Sequence, residues 1–279
     1  MGEFTSNQSR EQYNKNVLRC KEYIKNGDAF QIVYAQKFSA TYDQSLFSAY
    51  RYLRTTNPSQ YMVFLHNDDM EIAGSSPETL VKVVGKRVIS MPIAGTRRRG
   101  RTSEADLALE QELLADAKEI AEHNMLVDLG RNDIGKISRF GTVEVEKYHC
   151  IEKYSHVMHI GSTVRGEILE EKDALNAIDA ILPAGTLSGA PKLKACQLIN
   201  DLENNKRGIY GGAIGYVDFT GNLDVCIAIR LVYKKKDEIC IRSGAGIVAD
   251  SVPENEYQEC INKAKAVMKA IEISQEMTD

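Results

Sequence analysis

The chain has 279 residues, enough to bury a substantial core, and its 43% apolar and 27% charged residues are typical of a globular protein. Its formal net charge is −4. Binding to nucleic acid or to an anionic membrane requires a basic excess, so the composition argues against both. There is no apolar stretch of membrane-spanning length and no signal-peptide pattern at the start, so no membrane association is expected.

Hydrophobic periodicity and turn residues predict an alternation of helices and short strands along the first half of the chain. A helix over 9–25 begins at Ser9, which has the spacing of a capping box with Gln12. The other elements predicted in this half are a strand over 30–38, a helix over 45–53, strands over 61–65, 70–73, 79–84 and 87–91, and a long helix over 103–129.

The second half of the chain is also predicted to alternate between helices and strands. The predicted elements are a strand over 157–164, a helix over 174–181, a small-residue turn over 183–192 that opens a helix to 203, strands over 211–219, 223–233 and 238–247, and a helix over 253–273. Hairpins between long helices predict an α+β fold with antiparallel sheets. No linker or repeat interrupts the pattern, so residues 1–279 are expected to form one domain.

Two pairs of glutamates have the i, i+3 spacing that places both side chains on one helical face. Glu119 and Glu122 lie on the long helix, and Glu256 and Glu259 lie on the last helix, followed by Lys263. If the two faces meet, a hard cation such as Mg²⁺ would relieve the repulsion between four carboxylates. By spacing alone, however, a solvated helix face is the commoner explanation of each pair.

Several small or basic segments allow both a structural and a functional interpretation. Gly244 and Gly246 end a strand, where glycine permits a tight turn or close approach to an anion. The segment 186–192 leads into a helix N-terminus that can hold a carboxylate or phosphate, although the phosphate-loop spacing is absent. The basic run 97–101 is interpreted as a solvated loop ahead of an anion or partner contact. His156 and His159 are expected on opposite faces of a strand, one as a base and the other in the core.

Taken together, motifs in a fixed order identify the chain as similar to the chorismate-utilising enzymes, which include anthranilate, aminodeoxychorismate, isochorismate and salicylate synthases. No single motif is specific, but their order covers almost the whole chain. The motifs are PIAGTR at 92–97, DLGRND at 128–133, SHVMHI at 155–160, PAGT at 183–186, GAPK at 189–192, YGGA at 210–213 and GAGIVAD at 244–250.

The resemblance implies an antiparallel sandwich with flanking helices and a role for each matched residue. Glu122 and Glu259 match the Mg²⁺ ligands, with Glu119 and Glu256 beside them. The clamp on the enolpyruvyl carboxylate of chorismate matches Tyr210, Arg230 and Gly246, with Gly244 nearby. Glu78 matches the general acid that protonates the departing C4 hydroxyl, which requires a raised pKa. The remaining matches lie near the substrate ring or the metal helix: His159, Thr186 and Lys263. His156 then becomes a packing residue.

Two positions distinguish the branches of the family. Water-adding members carry a lysine base where this chain has Gln31, and many aminodeoxychorismate synthases carry a nucleophilic lysine where it has Ala94. Neither residue present can act as a base or a nucleophile. The resemblance therefore implies direct attack of ammonia at C2 of chorismate, followed by loss of pyruvate to give anthranilate in tryptophan biosynthesis, with His159 handling the C2 proton.

Partners and alternatives follow from the same resemblance. Ammonia is expected from a glutamine amidotransferase small subunit. Six scattered cysteines without a C-x-x-C pair predict reduced thiols and a cytoplasmic location. Family members carry an N-terminal region that this sequence lacks, so tryptophan inhibition is not expected, although 57–62 resembles part of the inhibitor site. The alternatives are an aminodeoxychorismate or aminodeoxyisochorismate synthase and, from another class, an inactive chorismate-binding fragment.

Overall fold

A computed structural model describes residues 1–154 and 157–276. The packing role predicted for His156 falls outside the described residues. In chain order the helices are α1 Arg10–Lys25, α2 Phe47–Thr56, α3 Ser103–Ala115, α4 Ala117–Gly135, α5 Ala174–Ile181, α6 Gly185–Ser188, α7 Lys192–Leu202 and α8 Pro253–Ser274. The strands are β1 Thr5–Ser6, β2 Gln31–Thr41, β3 Tyr61–Asn67, β4 Met70–Ser76, β5 Thr79–Val84, β6 Arg87–Ser90, β7 Ile93–Arg98, β8 Glu144–Lys153, β9 Val157–Glu167, β10 Gly189–Ala190, β11 Ala213–Val217, β12 Leu223–Ile227, β13 Leu231–Lys235 and β14 Glu238–Ile247.

The described chain divides into two compact units built from interleaved segments. Unit 1 comprises Met1–Pro77, Thr186–Gly212 and Ala228–Asp279, and unit 2 comprises Glu78–Gly185 and Ala213–Ile227. Each unit contains one antiparallel sheet with helices, so the predicted α+β class is confirmed. Whether 1–279 folds as one domain stays a prediction.

The sheet of unit 1 has the strand order β1-β2-β14-β13-β4-β3, with β10 also paired to β2. Its longest ladder joins β2 to β14 and runs from Thr41 opposite Glu238 to Ile32 opposite Ile247. Apolar side chains from this ladder pack with those of α1, α7 and α8, including Val17, Ile32 and Val267, which are all buried. The core therefore fixes α8 against β14.

The sheet of unit 2 has the order β11-β12-β5-β6-β9-β7, with β8 paired to β9. Helices α3 and α4 pack on this sheet through a smaller core of Leu113, Met158 and Ile160. This packing places the first turns of α4 beside β7 and β9. Among the described residues, no helix is long and apolar enough to cross a membrane.

Two predicted elements are divided in the structure, and strand β8 was not predicted. The single strand expected over 223–233 is two strands, β12 and β13, which belong to different sheets. The long helix expected over 103–129 breaks at Asp116, whose side chain caps α4 by accepting hydrogen bonds from the amides of Lys118 and Glu119. Strand β8 was not predicted, because it is largely exposed, rich in charged residues and interrupted by two register shifts, so it lacks apolar alternation.

Candidate active site

The end of strand β14 in unit 1 is shaped by Gly246. A Cβ atom at this position would lie 2.4 Å from Nε2 of Gln31, which is far below contact distance. Gly246 lies opposite Val33 in the ladder, and Gln31 begins β2 and lies opposite Ala190 of β10. Glycine at 246 therefore permits the buried amide of Gln31 to lie against the β14 main chain.

Tyr210 and Arg230 are held in the same unit by main-chain hydrogen bonds between their segments. The amide of Gly211 donates to the carbonyl of Ala228, and the amide of Ala228 donates to the carbonyl of Gly212. Burial raises the pKa of Tyr210, so its hydroxyl remains a donor. Arg230 has a φ of +53°, a strained backbone conformation for a residue other than glycine. Its carbonyl accepts from the amide of Ser75 at 3.1 Å, which helps to fix that conformation.

Thr186 lies in α6, in the turn that leads to β10 and α7. Within the described residues, its buried Oγ1 has no hydrogen-bond partner. Leaving a buried hydroxyl unsatisfied costs about 1–3 kcal/mol, so such a group is a candidate ligand contact.

Helix α8 places Lys263 next to Gly244 of strand β14. Its ammonium lies 2.6 Å from Oε1 of Glu259 and donates to the carbonyl of Gly244 at 3.1 Å. The Glu259 side chain is 50% exposed, so this ion pair contributes little to stability and leaves the carboxylate accessible. Glu256 lies in the first turn of the same helix.

Glu78 immediately precedes β5 in unit 2 and is buried. Its carbonyl accepts a hydrogen bond from the amide of Ile227 at 2.9 Å, which links it to the end of β12. A buried carboxyl is compatible with the general acid that the resemblance implies for Glu78.

His159 on β9 is oriented by the irregular part of β7. Its Nδ1 lies 2.8 Å from the carbonyl oxygen of Gly95 and 3.1 Å from Oγ1 of Thr96. A carbonyl only accepts, so Nδ1 carries a proton, and Nε2 is the proton-accepting atom of the neutral ring. The ring packs edge-on against Tyr154, with centroids 5.7 Å apart. Ala94 lies opposite Ile160, next to this contact.

Glu119 approaches the same irregular segment from the first turn of α4. Gly95 has a φ of +66°, and a Cβ there would lie 3.1 Å from Oε2 of Glu119. Arg97 binds Glu119 at 3.3 Å and also pairs with Glu112 and Asp116, each at 2.9 Å. Unit 2 therefore brings His159, Ala94 and Glu119 together around Gly95, and Glu122 lies one helical turn further along α4.

The basic run 97–101 is not a solvated loop at two of its positions. Arg97 binds the three carboxylates just described, and Arg99 binds Asp106 through two guanidinium nitrogens at 2.8 and 2.9 Å. The solvated-loop interpretation was wrong for these arginines because their acidic partners lie on α3 and α4, which fold back onto β7.

The carboxylates that the resemblance matches to a magnesium site form two pairs. Glu119 and Glu122 belong to unit 2, and Glu256 and Glu259 belong to unit 1. Carboxylate oxygens suit a hard cation, so these residues fit Mg²⁺ by their chemistry. Within either unit, the described residues contain no group of three or more potential metal-binding side chains.

The sequence did not single out Thr96, Tyr154 or Arg207. Thr96 and Tyr154 orient His159, and Arg207 places its guanidinium 5.6 Å from the ring centre of Tyr210. Tyr154 and Arg207 lie outside every motif, five and three residues before the rings that they contact, His159 and Tyr210. The only indication in the sequence was an arginine three residues before Tyr210, and the residues that it bonds could be identified only from the structure.

The family model described as chorismate binding enzyme matches residues 1–269. Anthranilate synthase component 1 of Acetivibrio thermocellus is 58% identical over 268 residues, which cover 96% of this chain and 54% of that protein. The Aquifex aeolicus protein of the same name is 53% identical, covering 97% of this chain and 55% of its own length.

A crystal structure of anthranilate synthase component I from Streptococcus pneumoniae TIGR4 superposes with a TM-score of 0.89 at 47% identity, covering 95% of this chain and 59% of that one. The chain thus spans a little more than half the length of the relatives that it matches.

Proposed function

The chain belongs to the chorismate-binding enzyme family, and we propose that it catalyses the conversion of chorismate and ammonia to anthranilate and pyruvate. The observation that carries this proposal is that unit 1 contains Gly246, Tyr210 and Arg230, with the segments of Tyr210 and Arg230 joined by main-chain hydrogen bonds. A protonated phenol, the guanidinium of a residue whose backbone conformation is strained, and a glycine main chain without a side chain are suited to a carboxylate. The relatives named anthranilate synthase component 1 support the same assignment.

Each chemical step has a candidate residue in this chain. The C2–N bond forms as ammonia attacks, the ring double bonds shift and the C4–O bond breaks, with a proton from Glu78 allowing the hydroxyl to leave as water. The new ammonium group releases one proton, which balances the one that Glu78 gave. Nε2 of His159 then accepts the C2 proton while the bond to the enolpyruvyl oxygen breaks, and the released enolpyruvate takes up a proton to become pyruvate. The Nδ1 contact with Gly95 keeps Nε2 as the accepting atom.

The branch assignment depends on what Gln31 and Ala94 lack. The Gln31 amide is buried beside Gly246, where it can position a substrate by hydrogen bonding but cannot deprotonate water. Ala94 offers no nucleophile to the ring. Both residues therefore favour ammonia as the direct nucleophile.

We further propose that Glu122 and Glu259 hold Mg²⁺, with Glu119 and Glu256 beside them. When bound, the ion supplies positive charge for the ring carboxylate of chorismate. Arg97 pairs with Glu119 and Lys263 pairs with Glu259, so both carboxylates are partly neutralised and oriented by the chain itself.

Ammonia is proposed to come from a glutamine amidotransferase small subunit, which the designation "component 1" of the relatives supports. All six cysteines are free thiols in the structure. This agrees with a reducing compartment, and we propose that the enzyme works in the cytoplasm.

The test is an assay of the purified chain with chorismate, ammonium and magnesium. Anthranilate is followed by its fluorescence and pyruvate by a coupled reduction. We expect the two products to appear together in equal amounts, because both arise in the same elimination.

Other results would replace the proposal with a specific alternative. An aminated product without pyruvate would identify an aminodeoxychorismate or aminodeoxyisochorismate synthase. Magnesium-dependent binding of chorismate without any turnover, measured by calorimetry, would identify an inactive binding fragment.

A further inference from the structure

Arg207, in the loop after α7, joins two main-chain segments that are distant in sequence. Its Nη1 donates to the carbonyl of Leu187 at 2.5 Å, and its Nη2 donates to the carbonyl of Val33 at 2.7 Å. The side chain is only 20% exposed. A buried guanidinium that bonds two carbonyls fixes the distance between their segments.

Both segments carry candidate substrate-binding residues. Leu187 follows Thr186, whose buried Oγ1 has no hydrogen-bond partner among the described residues. Val33 lies opposite Gly246 in the β2–β14 ladder. The ring of Tyr210 packs against the same guanidinium at 5.6 Å, within the range of a cation–π contact. One side chain therefore contacts Tyr210 and the residues next to Thr186 and opposite Gly246.

Glu203 fixes the orientation of this guanidinium. Its carboxylate accepts from Nε of Arg207 at 3.0 Å and from Nη2 at 2.5 Å, and it also accepts from the amide of Ala35 at 3.0 Å. The Glu203 side chain is 3% exposed, so solvent hardly screens the pair. Four hydrogen bonds of Arg207 thus go to protein atoms, and a guanidinium has five N–H groups in all.

A second arginine provides a matched comparison. Arg242 on β14 lies 3.5 Å from the same Glu203 carboxylate, and its side chain is 2% exposed. Its Nη2 donates to the carbonyl of Lys206 at 2.7 Å, within the loop that carries Arg207. Both arginines therefore belong to one buried charge cluster, but of the two only Arg207 bonds Leu187, next to Thr186, and Val33, opposite Gly246.

We propose that Arg207 is a positioning residue, which sets the spacing between Tyr210, Thr186 and Gly246 and so determines how tightly the carboxylate of the substrate is held. This inference rests on the proposed function for the identity of the substrate. The effect of Arg207 on the spacing of the three segments does not depend on the proposed function.

The test compares Arg207→Met, Arg207→Lys and Arg242→Met in the full chain with magnesium. We expect Arg207→Met to raise the Kd and KM of chorismate about tenfold with a smaller change in kcat, because substrate affinity depends on the spacing that the guanidinium sets. Arg242→Met lowers thermal stability to a comparable degree, since it also breaks the buried cluster, but leaves the Kd near the wild-type value. Arg207→Lys keeps the charge without the fork, so we expect partial recovery.

A second measurement does not need the substrate. Amide hydrogen exchange at Gly211 and Gly212 is expected to accelerate in Arg207→Met more than in Arg242→Met, because the Tyr210 segment loses its anchor. Equal effects of the two substitutions on chorismate affinity and on exchange would overturn the positioning role. A wild-type chain that neither binds nor converts chorismate would overturn the proposed function, and the exchange comparison would then decide the role of Arg207 by itself.

Discussion

Gly246 and Gln31 occupy one small space at the start of the β2–β14 ladder. The Gln31 amide lies where a side chain at position 246 would begin. Because the two residues are so close, the effect of a substitution at one position depends on the residue at the other.

Gly246→Ala is expected to raise the Kd of chorismate about tenfold, because the new methyl group displaces the buried Gln31 amide. The double substitution Gly246→Ala with Gln31→Ala removes the displaced atom, and part of the lost affinity should return. Calorimetry of both variants measures this coupling. Wild-type affinity in Gly246→Ala would show that the Gln31 amide does not shape the substrate site.

If Glu259 holds Mg²⁺ as proposed, Glu259→Gln is expected to lower magnesium-dependent turnover by at least roughly 100-fold, because a neutral amide replaces a charged oxygen ligand of a hard cation. The fold should persist, since a solvent-exposed i, i+4 pair such as Glu259 with Lys263 contributes only about 0.3–0.5 kcal/mol. Glu272→Gln, at an exposed position of the same helix, serves as the control. Near-normal turnover in Glu259→Gln would remove this residue from the metal site.

At the scale of elements, the contact between Arg99 and Asp106 joins the end of β7 to the first turn of α3. Asp106 accepts from Arg99 and also from the amide of Gly100 at 2.8 Å. The hydrogen bonds from Arg99 hold the pKa of Asp106 well below its ordinary value of 3.8. This carboxylate therefore contributes fully to stability above that value, and its contribution is lost as the pH falls below it and through the lower pKa of the folded state.

Asp106→Asn is expected to lower the melting temperature near neutral pH, because an amide cannot bind the guanidinium through two acceptor oxygens. The difference from the wild type should shrink below about pH 3.8, where the wild-type carboxyl of the unfolded state is protonated. Thermal melts over a series of pH values measure it. Asp179→Asn, an exposed change in α5, controls for the loss of charge, and a pH-independent difference would argue against the ion-pair explanation.

Elements with strong periodicity or clear caps could be predicted from the sequence. Helix α1 begins after Ser9, whose side chain accepts from the amide of Gln12 as expected, and the capped α5 was predicted with its observed bounds. The β12–β13 break was not predictable, because apolar residues continue through it. Arg230 turns the chain there with a left-handed conformation that its residue type does not announce.

The sequence could supply candidates for the site where they lie within the matched motifs, as His159 and Gly246 do. Contacts between segments were not accessible in the same way. Arg207 bonds Val33, which lies 174 residues earlier in the chain, and the sequence offers no periodicity that relates the two. Within each unit, the structure adds the residues that hold the matched ones in place.

At the scale of the whole molecule, the proposed chemistry predicts how the chain uses nitrogen. Ammonium should support anthranilate formation, and glutamine should do so only after an amidotransferase subunit is added. At fixed total ammonium the rate should rise with pH, because neutral ammonia is the nucleophile. Parallel assays with the two nitrogen sources test this, and efficient use of glutamine by the chain alone would contradict it.

The interleaving of the two units also constrains when the protein can fold during synthesis. In unit 2, β5 pairs with β12, and the amide of Gly85 donates to Asn222, 137 residues further on. In unit 1, β2 completes its longest ladder only with β14. Neither sheet can be completed until most of the chain has left the ribosome. Until then both units remain partly folded, with unpaired strand edges exposed. Expression of this protein should therefore depend on chaperones that bind such edges during translation.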